Sequence, residues 1–258
     1  MAMRREKAQF YCFPLTICCM NRYNVLRIQK LFFSILHPSC WKALTQGVTP
    51  SIEHRKVLTV IDCDFVFDVG ANRGQFSLIS RMAKPGVPIV AFEPIPTEAE
   101  IFRKALSGKK VQLRQVALGN DAGEAEIHLS RRGDSSSLLP IGELQRRLFR
   151  DTYEIGIMKV PVMRLDDFKS EWEKYSRILL KIDVQGFELS VLKGSTETLR
   201  NCAYVYVECS EIELYLGQSL YRDVADFLEQ PGFKFQSRHN ETIADGKLIQ
   251  ADYLFTRS

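Results

Sequence analysis

The sequence lacks features that mark several large classes of protein. None of its apolar runs reaches the roughly 18 residues that a membrane-spanning helix needs. Its seven cysteines form no Cys-x-x-Cys pair and have no histidine at the spacing of a zinc site. We therefore expect a soluble, cytoplasmic protein with reduced thiols. Residues 10–20 follow a basic start like a signal peptide, but Pro14 interrupts them and no small-x-small cleavage site follows; targeting and a start codon placed too early are both open.

Beyond its first thirty residues, the chain also lacks an excess of basic side chains. Its 35 Lys and Arg against 31 Asp and Glu give a net charge of +4 over 258 residues. The first thirty residues carry six basic side chains and one acid, or +5, which leaves the rest at −1. A nearly neutral body has no basic stripe for a phosphate backbone, so we expect no nucleic-acid partner.

What the chain does have is an alternation of strand and helix signals. A composition of 45% hydrophobic and 26% charged residues is typical of one large globular domain. Short apolar runs alternate with helical patterns, which predicts parallel strands joined by crossover helices. The expected strands are Phe65 to Gly70, Pro88 to Glu93, Val111 to Leu118, Glu124 to Ser130, Arg177 to Val184, Tyr204 to Glu208, and a closing antiparallel pair at Lys234 to Arg238 and Ile249 to Phe255.

The same pass divides the chain into two parts. Residues 1–50 form a basic, partly helical extension, whose amphipathic helix at 23–36 is open to three interpretations: it caps the domain, pairs with another subunit, or touches a membrane surface. Residues 51–258 form the main domain. Within it, residues 130–174 are too long for a simple connection and are either a lid or substrate loop or an exposed polar turn.

The loop after the first strand reads Asp68-Val-Gly70-Ala-Asn72-Arg-Gly74. This spacing differs from the Gly-x-Gly-x-x-Gly of dinucleotide enzymes, whose glycines admit a pyrophosphate at a helix N-terminus. The carboxylate of Asp68 instead favours a cationic ligand, and the common adenosyl cofactor with a sulfonium and an ammonium is S-adenosylmethionine. The loop therefore predicts methyl transfer and argues against a nicotinamide dehydrogenase.

Acids stand at the ends of three predicted strands, at Asp68, Glu93 and Asp183. Ligands of open α/β sheets bind beyond the carboxyl ends of the strands, so these side chains should converge on one crevice. Glu93 follows Asp68 at nearly the spacing at which a second-strand acid binds ribose hydroxyls.

Six blocks in order make the chain resemble the FkbM family of S-adenosylmethionine-dependent methyltransferases, from about Ile52 to the C-terminus. They are Asp68 to Gly74, Phe92-Glu93-Pro94, Val116 to Gly119, Asp134 to Leu138, Arg164 to Asp167, and Lys181-Ile-Asp183-Val-Gln185-Gly186-Phe-Glu188. The resemblance implies a Rossmann-like class I methyltransferase with a seven-stranded, mostly parallel sheet and a C-terminal antiparallel hairpin. It implies O-methylation of a sugar, glycolipid, polysaccharide or natural product. The family's last block usually reads Lys-Ile-Asp-Val-Glu-Gly, and Gln185 removes its second acid.

Site residues follow from the loop, the strand ends and the resemblance together. We expect Asp68 to hold the methionine ammonium, directly or through water, and Glu93 to hold the ribose. The expected cofactor-binding set is Asp68, Gly70, Asn72, Gly74, Gln75, Phe76, Glu93, Pro94, Val116, Ala117 and Leu118.

A hydroxyl acceptor requires a general base, because it is a poor nucleophile at neutral pH. The candidates are Asp183, Glu188 and Glu208, with Asp183 first. Asp183 has the alternative role of capping the helix near Gly186, and Glu188 that of a solvated side chain or a partner of Lys181. With Gln185 in place of an acid, we expect no metal site. A noncatalytic protein of the same fold is the competing hypothesis, and a nucleic-acid methyltransferase ranks below both.

Overall fold

The computed structural model describes residues 22–257, and its centre is a seven-stranded sheet in the order β3-β2-β1-β7-β8-β10-β9. Its strands are β1 (Phe65–Val69), β2 (Ile89–Phe92), β3 (Val111–Arg114), β7 (Ile178–Ile182), β8 (Cys202–Ser210), β9 (Lys234–Ala244) and β10 (Lys247–Thr256). The first five of these are parallel, whereas β10 runs antiparallel to both β8 and β9. The predicted mostly parallel sheet with a C-terminal hairpin is confirmed.

Helices cover both faces of this sheet, which is why its parallel strands are nearly continuous apolar runs. The helices are α1 (Arg22–Leu36), α2 (Trp41–Leu44), α3 (Arg55–Val60), α4 (Gln75–Ala83), α5 (Pro96–Ala105), α6 (Glu143–Leu148), α7 (Lys169–Trp172), α8 (Glu188–Lys193) and α9 (Tyr221–Glu229). One face packs against α7, α8 and α9, and the other against α2, α3, α4 and α5. Successive side chains of a strand point to opposite faces, so Phe67 joins the first core and Val66 the second.

The predicted strand Val111 to Leu118 is wrong as a single element. It divides into β3, on the edge of the large sheet, and β4 (Ala117–Leu118), which belongs to a second sheet of order β4-β6-β5. The other members are β5 (Gly123–Ser130) and β6 (Glu154–Met163). Most of residues 130–174 is regular structure, because β6, α6, α7 and the short helical turns Gly133–Ser135 and Leu165–Phe168 lie within it, and β6 pairs with β5 from Glu154 to Val162.

The described part of the N-terminal extension packs on the main core. Cys40, Ala43 and Val48 are buried with Leu78 of α4 and Phe102 of α5. The predicted helix at 23–36 matches α1, whereas the apolar stretch at 10–20 lies outside the described residues. Among residues 22–257, no helix combines the length and apolarity needed to cross a membrane.

Candidate active site

The carboxyl end of β1 carries a buried ion pair. Asp68 is fully buried; its Oδ1 lies 3.3 Å from Lys181 Nζ, and its Oδ2 accepts a 2.6 Å hydrogen bond from the Ser77 hydroxyl. Asp68 and Lys181 are opposite each other in the register of β1 and β7, on the face covered by α4. Burial alone would lower the pKa of Lys181, but the carboxylates of Asp68 and Asp183 outweigh it and the pKa is raised. Asp68 therefore anchors β1, β7 and α4 to one another.

The two glycines of the loop are required by close contacts within the protein. A Cβ on Gly70, at φ +76°, would lie 1.8 Å from the Asp183 carbonyl oxygen. One on Gly74, at φ +90°, would lie 2.4 Å from the Leu106 side chain. The loop is thus pressed against β7 on one side and against the end of α5 on the other.

Glu93 holds the loop from the end of β2. Its Oε2 accepts the backbone N–H of Asn72 at 2.9 Å, and its Oε1 accepts that of Ile95 at 2.8 Å. Burial raises the pKa of this carboxyl to about 7, against the two N–H donors that lower it. Asn72 also donates from Nδ2 to the Gly133 carbonyl oxygen at 3.0 Å, which ties the loop to the 130–174 segment.

A second cluster stands at the ends of β7 and β8, where Gln185 bridges two carboxylates. Its Nε2 donates to Asp183 Oδ1 at 2.7 Å and to Glu208 Oε2 at 2.8 Å. Its Oε1 accepts the Tyr215 hydroxyl at 2.8 Å, and its carbonyl oxygen accepts the Ser137 hydroxyl at 2.6 Å. Gln185 adopts φ +56°, a left-handed conformation that costs energy for a side chain with a Cβ and persists only where contacts hold it.

The two bridged carboxylates differ in environment. The Asp183 side chain is 35% exposed and lies 3.6 Å from Lys181 Nζ. Burial, and then the neighbouring Asp183, raise the pKa of Glu208 well above its ordinary value. Asp183 makes no capping hydrogen bond to α8, whose N-cap is Phe187, so the capping alternative is wrong. The pair is open on the Asp183 side.

Glu188 is neither solvated nor paired with Lys181. It is buried, and its Oε1 accepts the backbone N–H groups of Gly186 at 2.9 Å and Val184 at 3.3 Å. Burial is the main cause that raises its pKa to about 7. The carboxylate thus shapes the turn between β7 and α8, and its role as a base stays a prediction.

We expect Glu188→Gln to stabilise the protein at pH 8 and to leave its stability unchanged at pH 5. The amide retains the accepting Oε1 and removes a buried charge. A carboxyl whose pKa is raised on folding, here from 4.5 to about 7, stabilises the fold below the lower value and loses that contribution as the pH rises through the upper one. The gain at pH 8 should be about 1–3 kcal/mol, measured by urea unfolding. Equal differences at both pH values would contradict this role.

The remaining predicted cofactor residues divide between the edge of the sheet and the core. Gln75 and Pro94 are partly exposed beside the loop, and Val116 is partly exposed before β4. Ala117 and Leu118 are buried in β4. Phe76 is buried against Tyr206 and His54, with the Lys181 ammonium 5.4 Å from its ring centre.

A polar cluster of His54, Tyr206, Asn240 and Asp252 lies beside Glu208, and the sequence did not indicate it. His54 Nδ1 lies 3.0 Å from the Tyr206 hydroxyl and 3.6 Å from Asp252 Oδ2, and Asn240 donates to Asp252 at 2.7 Å. Burial is the largest cause that lowers the pKa of His54, to about 4, and that raises the pKa of Asp252, to about 6. Asp252 is brought to this cluster by its pairing with Glu208 across β10 and β8. The sequence alone does not give the register of these two strands, so it could not predict this position.

The chain is similar in sequence to known methyltransferases. The methyltransferase FkbM domain model matches residues 68–235. The chain is 30% identical to 2-O-methyltransferase NoeI of Sinorhizobium fredii (strain NBRC 101917 / NGR234), over 76% of this chain and 84% of that protein. It is 34% identical to methyltransferase sdnD of Sordaria araneosa, over 70% of this chain and 78% of that protein.

Two further similarities are to a third curated relative and to a solved structure. The chain is 30% identical to 31-O-demethyl-FK506 methyltransferase FkbM of Streptomyces tacrolimicus, over 72% of this chain and 79% of that protein. The solved magnesium protoporphyrin IX methyltransferase of Synechocystis PCC 6803, with bound S-adenosylmethionine, covers 90% of this chain and 96% of its own at 10% identity and a TM-score of 0.44. The chain's own sheet, five parallel strands followed by an antiparallel pair, is the Rossmann-like arrangement of methyltransferases that use S-adenosylmethionine. With a family model over most of its length and relatives of 30% identity or more, this chain belongs to the FkbM family of methyltransferases.

Proposed function

We propose that this enzyme methylates a hydroxyl group of a sugar, glycolipid, polysaccharide or natural product. The observation that carries the proposal is the carboxylate pair of Asp183 and Glu208, fixed by Gln185 at the carboxyl ends of β7 and β8. The names of two relatives, a 2-O-methyltransferase and a 31-O-demethyl-FK506 methyltransferase, support an oxygen acceptor.

The residues at this edge fit a cationic cofactor. Asp68, Glu93, Asp183 and Glu208 bring four carboxyl groups to adjoining strand ends, with Lys181 as the cation that contacts Asp68 and Asp183. We assign the ribose end to Glu93, which the structure places beside Asn72, and the methionine end to the loop from Asp68 to Gly74. When bound, S-adenosylmethionine supplies an activated methyl group on a sulfonium.

The chain's own task is then to place and deprotonate the acceptor. We assign the base to Asp183, because it is the more exposed carboxylate of the pair and Gln185 fixes one of its oxygens. Its other oxygen, Oδ2, which lies 3.6 Å from Lys181 Nζ, would take the proton of the hydroxyl that accepts the methyl group. Alignment within near-attack distance accounts for much of such a rate enhancement.

The first test is calorimetry with S-adenosylhomocysteine. We expect Glu93→Gln to weaken binding by about 100-fold, or roughly 3 kcal/mol, because both carboxylate oxygens accept backbone N–H groups and an amide can accept only one, which frees the loop at Asn72. Glu100→Gln is the matched control, since Glu100 is exposed on α5 and pairs with Lys104. No binding by folded wild-type protein would overturn the proposal, and unchanged binding by Glu93→Gln would move the site elsewhere.

The second test distinguishes an enzyme from a noncatalytic protein of the same fold. Gln185 suggests the noncatalytic alternative, because it replaces the acid that is usual in the family's block. Transfer of radiolabelled methyl groups to glycan and lipid extracts should occur with the wild type and disappear in Asp183→Asn, while the variant still binds S-adenosylhomocysteine. Binding without transfer to any extract would favour the noncatalytic alternative.

A further inference from the structure

The outward face of α1 is apolar although it faces solvent. Val25, Ile28, Phe32 and Ile35 recur every three or four residues, which places them on one side of the helix, and each is more than one-third exposed. Phe32 is 63% exposed, and Leu31 and Leu36 widen the same surface. We call this set of six side chains the α1 apolar face.

The opposite side of α1 fixes the helix on the domain. Phe33 packs against the cluster formed by α3 and α4 and against the one formed by α2, α4 and α5. It also stacks on His37 at 3.9 Å between ring centres. Lys30 Nζ pairs with Glu53 at 2.7 Å, and the guanidinium of Arg55 lies over the Phe33 ring. The α1 apolar face is therefore held outward by the fold.

The surroundings of this face are basic and aromatic. Residues 22–51 contain Arg22, Arg27 and Lys42, besides Lys30, whose charge Glu53 balances, and they contain no acid of their own. Trp41, the first residue of α2, is 54% exposed, and its indole N–H donates to the Ile35 carbonyl oxygen at 2.9 Å. An apolar helix face with Trp and Phe, flanked by Lys and Arg, is typical of helices that lie in a membrane interface.

Three occupants of the α1 apolar face are considered: a second copy of the chain, residues 1–21, and a membrane surface. Their charges distinguish them. A second copy of the chain would bring the same positively charged helix, whose own sequence has no acid, against itself. Residues 1–21 carry Arg4, Arg5 and Lys7 against Glu6, so they are also basic. An anionic lipid surface alone complements both the apolar side chains and the positive charge.

We propose that α1 docks with its apolar face on an anionic membrane surface and so holds the enzyme there. The test is flotation of the full-length protein with vesicles of phosphatidylcholine, with and without about 30 mol% phosphatidylglycerol. Wild-type protein should bind the anionic vesicles at least about tenfold better, and binding should weaken as salt rises from about 0.1 M to about 0.5 M.

Two variants locate the binding surface. Ile28→Glu and Phe32→Glu should each reduce binding to anionic vesicles by about tenfold or more, because each puts a charge into the apolar face. Ile155→Glu is the matched control, as Ile155 is 60% exposed on β6 of the second sheet. Unchanged thermal melting and S-adenosylhomocysteine binding show that the variants fold.

Three outcomes would overturn the proposal. They are failure of the wild type to bind anionic vesicles, equal binding by Phe32→Glu, and a dimer in analytical ultracentrifugation that Phe32→Glu dissociates. None depends on methyl transfer, so the proposed function and this docking surface stand or fall separately.

Discussion

Replacing Asp68 with alanine is expected to lower the free energy of unfolding by about 3–5 kcal/mol, because it removes from the buried Lys181 its only fully buried counter-charge among the described residues. Lys181 is only 5% exposed. Without Asp68 its ammonium would keep Asp183 at 3.6 Å and the Gly70 carbonyl oxygen at 3.3 Å as partners. Urea unfolding of the protein without cofactor measures the loss.

A double-mutant cycle separates the pair from its surroundings. We expect Lys181→Met to be destabilising as well, and the double variant with Asp68→Ala to lose less than the sum of the two single losses. Ser77→Ala is the control for the remaining contact of Asp68, and should cost about 1 kcal/mol. Additive losses, or an Asp68→Ala variant within about 1 kcal/mol of the wild type, would contradict the ion pair's role.

Because Asp68→Ala is expected to destabilise the protein strongly, it is a poor probe of cofactor binding by the loop. Asp68 was assigned to the methionine ammonium on the basis of its place in the loop, and that assignment stays a prediction. Because Asp68 also neutralises Lys181, a loss of cofactor binding in Asp68→Ala would report unfolding as well as a lost contact. Glu93→Gln is the better probe of the site, since Glu93 meets only N–H donors of the loop and of Ile95.

The sheet could be predicted largely from local pattern. β1 is five buried residues between clear breaks, and it agrees with the predicted strand Phe65 to Gly70 to within one residue. The strand after α5 failed because its apolar residues continue past Arg114, and nothing local shows that the chain leaves one sheet and enters another at that point. The partner that decides this is β6, in which Val162 pairs with Ala117, 45 residues earlier in the chain.

Contacts between distant parts of the chain limit the prediction of the site even more than that of the sheet. Asp68, Glu93 and Asp183 could be placed at one edge because strand ends meet there in any parallel sheet. Gln185 was read as a lost acid, whereas its amide binds a carboxylate 23 residues away. Asn240 could not be found, because it depends on an irregularity in the pairing of β9 with β10, opposite Ala251, that turns it toward Asp252.

Gln185→Glu is the second change from which we expect a large effect, since it restores the acid usual in the family's block. The new carboxylate would face Asp183 and Glu208, both of which now accept hydrogen bonds from the amide of Gln185. Within residues 22–257, no group of three or more His, Cys, Asp or Glu side chains is arranged to hold a metal ion. The substitution would create a group of three carboxylates.

The expected destabilisation is about 2–4 kcal/mol at pH 8, and it should shrink toward pH 5. Mutual repulsion raises the pKa of such a cluster on folding, so its cost is absent when the carboxyls are protonated and appears as the pH rises. Urea unfolding at both pH values measures this. A loss that is the same at pH 5 and pH 8 would show that the lost amide bonds, and not charge, are responsible.

A divalent cation should reverse the loss in this variant and leave the wild type unchanged. Three oxygen ligands would bind Mg²⁺ or Mn²⁺ in the folded state alone, which raises its stability by mass action. Gln145→Glu is the matched control, because Gln145 is also buried and also contacts Tyr215, through Nε2 at 3.1 Å, but does not bridge two carboxylates. If the cation raises the melting temperature of Gln185→Glu only, Gln185 is the residue that keeps this site free of metal. If the wild type responds equally, the amide does not exclude a metal, and the carboxylates of Asp183 and Glu208 bind one beside it.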